Sequence, residues 1–435
     1  MRKSLVVGIL PETKNEFERR APLTPKDVAW LVNKNISVEV ASSPLRIYKN
    51  SQYKRSGAKI VENFKKANLL IGIKEPPVDT LIPDTVYMVF SHTTKGQEYN
   101  RNLLKSFLRK RITLIDYEHI TGSLGERLAY FGRYAGICGM IDTLHVYGRK
   151  ETLQNNPNPF SDIKSAFHYG NYNSAKRVLE ETVTNIRKKG FNKAKTPFVI
   201  GILGHGNVSQ GAQEVLDCIG AVEIHPRDID ILSRSHSSHK NTIYKLVFQR
   251  EEKLRSKKGK SFYFEEYLEH PERFESNLDK SLPFLSVLVN SSYWDKRYPR
   301  LLPEGMLRRM YGSSTDFRLS VIGDLSCDIK GTIEITTKVT SSSDPAFIYN
   351  PISKKISDDL SQSGIAVMAI DNLPCEFPKE SSAEFAEQIR EYVYQVAAHG
   401  VSDITNHHAL PNVIRNAVVT QDGKLTQRFK YIRKN

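Results

Sequence analysis

The sequence predicts an α/β protein of two domains, each built on a mostly parallel sheet. Three observations carry this. The 435 residues exceed what one hydrophobic core usually accommodates. From the N-terminus to Tyr117, strand and helix signals alternate, the βαβ pattern of a parallel sheet. A separate strand, glycine turn and amphipathic helix then begins at "FVIGILGHGNVSQGAQEVLDCIGA", a second βα start far from the first.

In order, the strands of the first half are "SLVVGIL", "SVEVA", "NLLIGI", "TVYMVF" and "ITLIDY", short apolar runs rich in Val, Ile and Tyr. Between the first two, Thr24 reads as an N-cap and Pro25 as the first helical residue, with Val28, Leu31 and Val32 on one face. A longer helix follows at "FGRYAGICGMIDTLHVYG", and the Asn/Pro-rich "QNNPNPFSD" reads as the loop after it. The helix "SAKRVLEETVTNIRKKG" has Leu179, Val183 and Ile186 on one face and ends in Lys188, Lys189 and Gly190. Residues 240–280 are charged and weakly patterned and read as helical and exposed. Near the end, Ser381 and Glu384 have capping-box spacing ahead of the stripe Phe385, Ile389, Tyr392, Val396.

Composition narrows the class. No apolar run approaches the length that crosses a bilayer, so no membrane role is expected. Four cysteines without a C-x-x-C pair argue against a zinc site or a disulfide framework. The net charge of +15 sits in scattered groups such as Lys188-Lys189 and "FKYIRKN", without the aromatic interleaving of a nucleic-acid platform. The N-terminal apolar run is too short for a signal peptide, and the start lacks a transit peptide, which predicts a cytoplasmic location.

The glycine turn points to a dinucleotide. Gly204 permits the tight turn, Gly206 lets backbone approach a pyrophosphate, and Asn207 and Val208 open the helix whose free N–H groups attract phosphate. Gly211 comes later than the usual third glycine. About twenty residues on, where a carboxylate or an Arg commonly reads the ribose, stand His225, Pro226 and Arg227, then Ser233 and Arg234, with the nearest acids at Asp228 and Asp230. This favours NADP(H), with NAD(H) as the alternative.

Lys74 and His92 lie just beyond the ends of "NLLIGI" and "TVYMVF", the edge where open parallel sheets bind ligands. A desolvated lysine and a histidine can both exchange protons near neutrality, and Glu75 is placed to pair with Lys74.

Ten blocks, among them "PETKNEFERRAPLTP", "IGIKEPP", "FSHTTKGQEYN", "LIDYEHI", "GERLAYFGRYAG", "LGHGNVSQGAQ", "YWDKRYPRLL", "DLSCDIKGTIE", "SGIAVMAIDNLP" and "AVVTQDGKLTQRFKYI", run in order along the chain. They resemble the lysine-ketoglutarate reductase domain of the bifunctional α-aminoadipic semialdehyde synthases. They are more distantly similar to the lysine-forming saccharopine dehydrogenases of fungi, and then to alanine dehydrogenase and nicotinamide nucleotide transhydrogenase. The resemblance covers essentially the whole chain and implies one without the glutamate-forming half of the bifunctional enzymes. It implies two Rossmann-like parallel-sheet domains flanking a cleft, with a substrate domain built from both chain ends: residues 1–133 and 371–435 around a dinucleotide domain at 134–370. It implies NADPH-dependent reductive condensation of L-lysine with 2-oxoglutarate to saccharopine, all small-molecule partners, with oligomeric state open. Lys74 and His92 match the family's acid/base pair, which the resemblance does not divide between steps, and Glu75 and Glu118 match their acidic neighbours. Arg20 and Arg127, supported by Lys14 and Lys95, match carboxylate-binding positions, and Asp371 matches a cofactor position. Cys327 stands where the family suggests a small residue, and Arg133 puts a charge at the mouth of the cleft. The alternatives are an NAD-dependent, lysine-forming saccharopine dehydrogenase, an alanine dehydrogenase-like enzyme, or a non-catalytic NAD(P)-binding regulator.

Overall fold

A computed structural model describes residues 5–94, 100–192, 195–233, 239–313, 317–400 and 410–434. The chain divides into two compact units, residues 1–131 with 378–435, and residues 132–377.

The first unit opens with β1 (Val7–Ile9), α1 (Pro25–Asn33), β2 (Val38–Ala41), α2 (Asn50–Arg55), β3 (Lys59–Val61), β4 (Leu69–Ile71), β5 (Val86–Val89), α3 (Arg101–Arg109) and β6 (Thr113–Asp116). Helix α1 starts as its sequence requires: Asp27 N–H donates to the Thr24 hydroxyl, Asp27 answers Thr24 N–H, and Pro25 fills the first helical position. All pairings among β1 to β6 are parallel. The residues of β1, β2, β4, β5 and β6 are buried because helices cover both faces, which is why most of them read as continuous apolar runs, whereas edge strand β3 leaves Lys59 exposed.

The second unit begins with α4 (Gly132–Leu153) and α5 (Tyr172–Lys189), then β7 (Phe198–Leu203), α6 (Asn207–Cys218), β8 (Val222–Glu223), α7 (Ile229–Ser233) and β9 (Ile243–Phe248). Next come α8 (Arg250–Lys253), the antiparallel pair β10 (Leu254–Ser256) and β11 (Phe274–Ser276) around α9 (Phe264–Glu269), β12 (Val287–Asn290) and α10 (Glu304–Ser313). The unit closes with β13 (Val321–Asp324), β14 (Ala346–Tyr349), β15 (Ile356–Ser357) and β16 (Ile365–Met368). The sheet order is β15-β14-β16-β13-β12-β7-β9-β8, parallel except at β14 and β15. The reading of 240–280 as helical and exposed is thus corrected. Ile243, Tyr244, Leu246 and Phe248 of β9 are buried, since β9 lies between two other strands.

Leu373 and Phe377 pack in the second unit's core, so the chain leaves that unit at Pro378. The returning segment forms α11 (Pro378–His399), β17 (Val418–Gln421) and β18 (Lys424–Leu425). Helix α11 starts at Pro378, which suits a first helical position, so Ser381 lies inside its first turn and is not the cap its spacing suggested. Strand β17 pairs antiparallel with β6, giving the order β18-β17-β6-β5-β4-β1-β2-β3.

A buried carboxyl pair crosses the core of the second unit. Asp142 on α4 accepts from Ala166 N–H at 2.8 Å and faces Glu376, and both residues are almost wholly buried. Two carboxylates would leave oxygens there without donors. Burial and Asp142 push the Glu376 carboxyl well above the carboxylate range, so it keeps a proton and donates it to Asp142. A raised folded-state pKa stabilises fully below the unfolded value of about 4.3 and loses that contribution as pH rises through the folded value. Glu376→Gln, which keeps a donor, is therefore expected to flatten the fall in unfolding free energy as pH rises above about 4.3, by up to about 1.4 kcal/mol per pH unit. Parallel urea titrations check this, and identical slopes in parent and variant would contradict it.

Candidate active site

In the first unit the candidate groups gather at the carboxyl ends of β4, β5 and β6. Lys74 and Glu75 follow β4 by three and four residues, and two prolines stop the chain there. Glu75 pairs with His92 rather than with Lys74, its Oε1 lying 2.6 Å from His92 Nδ1. Burial pushes the Glu75 carboxyl up, but the His92 hydrogen bond and charge outweigh it and hold the group at about 2. An ionised Glu75 can only accept, so His92 carries its proton on Nδ1 and presents Nε2 for chemistry. His92 itself sits at φ 46°, a left-handed conformation that His tolerates better than most residues. Asn100 supports this turn: its amide lies 3.2 Å from the carbonyls of Ser91 and His92 and 3.3 Å from Glu75.

Lys74 is mostly buried. Desolvation first, then the charges of Arg20 and Lys14, lower its pKa below the lysine range. Its N–H and that of Ile73 donate to Glu12 at 3.0 and 2.6 Å. Burial and nearby Glu18 push Glu12 up to about 7. A cavity of about 490 Å³ is lined by Glu12, Lys74, Glu75, Phe64 and Tyr87.

The proposed carboxylate clamps are engaged internally. Arg20, 2% exposed, forms a two-bond fork with Glu18 at 2.8 and 2.6 Å and lies over the Phe131 ring at 4.2 Å. Arg127, half exposed, reaches Glu118 at 3.0 Å. Glu118 N–H donates to Asp116, whose carboxyl burial and Glu118 raise to about 6. Lys14 is exposed, and Lys95 lies outside the described residues. Glu12, Glu18, Asn100 and Asp116 escaped sequence reasoning. For Glu12 and Glu18 the signal was present in "PETKNEFERR", where the acids interleave with the proposed cations.

In the second unit β7 runs into Gly204 at φ 127°, where a side chain would be strained and would press on Ser291. Gly206 caps α6, and a Cβ there would meet nothing within 4 Å, leaving the helix N-terminus open to a phosphate. Asn207 and Val208 form the first turn of α6. The late third glycine has a different role. A Cβ on Gly211 would overlap the carbonyl oxygen of Arg133, and one on Gly136 that of Val208, so both glycines let α4 and α6 cross backbone to backbone. Arg133 forks onto Glu214 of α6 at 2.9 Å, which neutralises it within the unit. Cys327 takes φ 56° and donates to the Ile370 carbonyl at 3.1 Å, and exposed Asp371 follows β16.

A cavity of about 410 Å³ includes Gly204, Gly206, Arg250, Lys253, Phe264 and Ser292 in its lining. Arg227 is not part of it. Its side chain is 78% exposed, 3.9 Å from Asp228. Ser233 ends α7, and Arg234 lies outside the described residues. Glu223, an acid close to that position, lies inside β8, where it pairs with Lys245 at 3.4 Å. Among the described residues no cluster of His, Cys, Asp or Glu could hold a metal ion.

A glycine turn from strand to helix of a parallel sheet in one unit, and a half-buried lysine with a His–Glu pair beyond the strand ends of the other, define a two-unit dinucleotide-binding protein. The alanine dehydrogenase/PNT N-terminal domain model matches residues 8–138 and the C-terminal domain model residues 166–428. The chain belongs to the alanine dehydrogenase/PNT family. It is 34% identical, over 98% of its length, to alpha-aminoadipic semialdehyde synthase of Arabidopsis thaliana, and it spans 41% of that relative. It is 26% identical to a saccharopine dehydrogenase [NAD(+), L-lysine-forming] of Candida glabrata, covering 92% of this chain and 94% of the other. Among solved structures, an L-alanine dehydrogenase superposes with a TM-score of 0.62 at 17% identity, covering 99% of this chain and 98% of the other, which shows a shared fold.

Proposed function

We propose that the protein is a nicotinamide-dependent oxidoreductase that condenses the ε-amine of L-lysine with 2-oxoglutarate and reduces the product to saccharopine. The observation that carries this reading is the Lys74, His92 and Glu75 group at the ends of β4 and β5, in a chain that also holds an open glycine turn. The names of the relatives add support: a semialdehyde synthase and a lysine-forming saccharopine dehydrogenase.

Attack of an amine on the ketone gives a carbinolamine, which loses water only if its hydroxyl is protonated. For that transfer His92 enters as the imidazolium, with Nδ1–H committed to Glu75, and gives up its Nε2 proton. Lys74, with a lowered pKa, accepts the proton that the attacking ammonium must shed. The open N-terminus of α6 is suited to a dinucleotide pyrophosphate, and a bound reduced nicotinamide supplies hydride to the C=N carbon. The substrates carry several carboxylates. Arg127 and Arg20 can clamp them where a substrate carboxylate replaces Glu118 or Glu18 in the fork.

Absorbance of the reduced nicotinamide, followed with NADPH and with NADH, tests the reading. Oxidation is expected only when lysine and 2-oxoglutarate are both present. Oxidation with pyruvate and ammonia instead would overturn it.

A further inference from the structure

We infer that Arg250 and Lys253 form an anion subsite that takes the 2′-phosphate of an NADP-type cofactor. The inference rests on the reading of the Gly204–Gly206 turn as a dinucleotide site, and it names the residues that choose between cofactors.

In a doubly wound sheet the adenosine ribose is read at the end of the strand beside the one that enters the glycine turn. Spacing along the chain places that position after β8. In the structure β8 is the edge strand and β9 lies against β7, in register from Phe198 with Ile243 to Leu203 with Phe248. The ribose-reading position therefore moves to the residues after Phe248, which are Gln249 and Arg250. Arg250 and Lys253 line the same cavity as Gly204 and Gly206, whereas Arg227 does not.

The local charge balance is also uncompensated at this cavity. Lys253 is 7% exposed, has the Ser292 hydroxyl at 3.4 Å, and forms no ion pair among the described residues. Arg250 likewise has no carboxylate partner among them, and its guanidinium lies 4.0 Å from the centre of the Phe264 ring. Two residues beyond Lys253, Arg255 is neutralised by Glu275 at 2.8 Å and Asp279 at 2.9 Å. A buried cation without a counter-ion is costly, and burial and Arg250 together push Lys253 down to about 8. A dianionic phosphate between the two would neutralise both, with the Phe264 face holding the Arg250 plane in position.

Binding of NADPH, NADH, adenosine 2′,5′-bisphosphate and ADP to the full chain, measured calorimetrically without lysine or 2-oxoglutarate, tests the inference. NADPH is expected to bind more tightly than NADH, and the 2′,5′-bisphosphate more tightly than ADP. Arg250→Ala and Lys253→Met should each weaken NADPH and the bisphosphate roughly 10- to 100-fold while changing NADH and ADP by less than about threefold. Arg227→Ala removes a charge outside the cavity and sets the background. Equal losses for NADPH and NADH would mean that the pair holds the pyrophosphate and would overturn the inference, as would tighter binding of NADH by the parent. Binding of neither dinucleotide would overturn the site reading as well. Turnover is not read, so a failure of the condensation reaction leaves this result distinguishable.

Discussion

Lys74→Met is expected to fold, to bind reduced dinucleotide with parental affinity, and to lose roughly 10²–10⁴ in kcat, the range for a positioned acid or base. The side chain can be removed without unmaking its neighbourhood, because the hydrogen bond to Glu12 comes from the Lys74 backbone N–H. Methionine keeps the length and loses the proton site. Desolvation and the nearby Arg20 and Lys14 charges lower the Lys74 pKa, so the neutral amine appears at lower pH than for an ordinary lysine. The limb of the pH–rate profile that belongs to Lys74 should therefore lie below about 10.4 and vanish in the variant. For His92 the better replacement is Asn, because the residue sits at φ 46° and Asn tolerates that region. His92→Asn should fall in the same range, and the double variant should lose less than the product of the two, since groups on one proton path are not additive. Single-turnover and steady-state rates, with melting temperatures as the control, decide the matter. A Lys74→Met protein with near-parental kcat would remove the mechanism.

Gly211→Ala is expected to destabilise the second unit by roughly 3 kcal/mol or more, at or beyond the upper end of ordinary overpacking. Helix propensity alone favours Ala over Gly by about 1 kcal/mol, so the sign discriminates between the two effects. Packing should win. The new methyl would overlap the Arg133 carbonyl oxygen, with its carbon 2.8 Å and Ile137 N 3.0 Å away, and these are backbone atoms of a helix that cannot rotate aside. Gly136→Ala meets the reciprocal obstacle, 2.7 Å from Ala212 N, and should behave alike. Gly206→Ala is the contrast. Its Cβ meets nothing within 4 Å, so stability should stay near the parent value, while dinucleotide affinity falls because the methyl stands where phosphate approaches. Urea unfolding of the three variants checks the set, and a Gly211→Ala protein more stable than its parent would show that α4 and α6 have room to spare.

The sequence by itself determined what depends on near neighbours. The βα alternation of the first unit, the Thr24 cap with Pro25, and the turn of Gly204 and Gly206 into α6 are written in residues a few positions apart, and each is present in the structure. Tertiary structure decided which groups are partners. Glu75 is adjacent to Lys74 in the chain, yet it binds His92, because parallel pairing sets the ends of β4 and β5 side by side. Gly211 belongs to a helix crossing with α4, whose Arg133 lies far away in the chain. The largest displacement came from strand order. Counting residues from the glycine turn led to Arg227, whereas insertion of β9 between β7 and β8 puts Arg250, not Arg227, in the cavity beside Gly204 and Gly206. Hydrogen bonds between strands join residues far apart in the chain, and two strands compete for one neighbour. The order is settled by which buries the more surface, and β9 buries five of its six residues where β8 leaves both exposed.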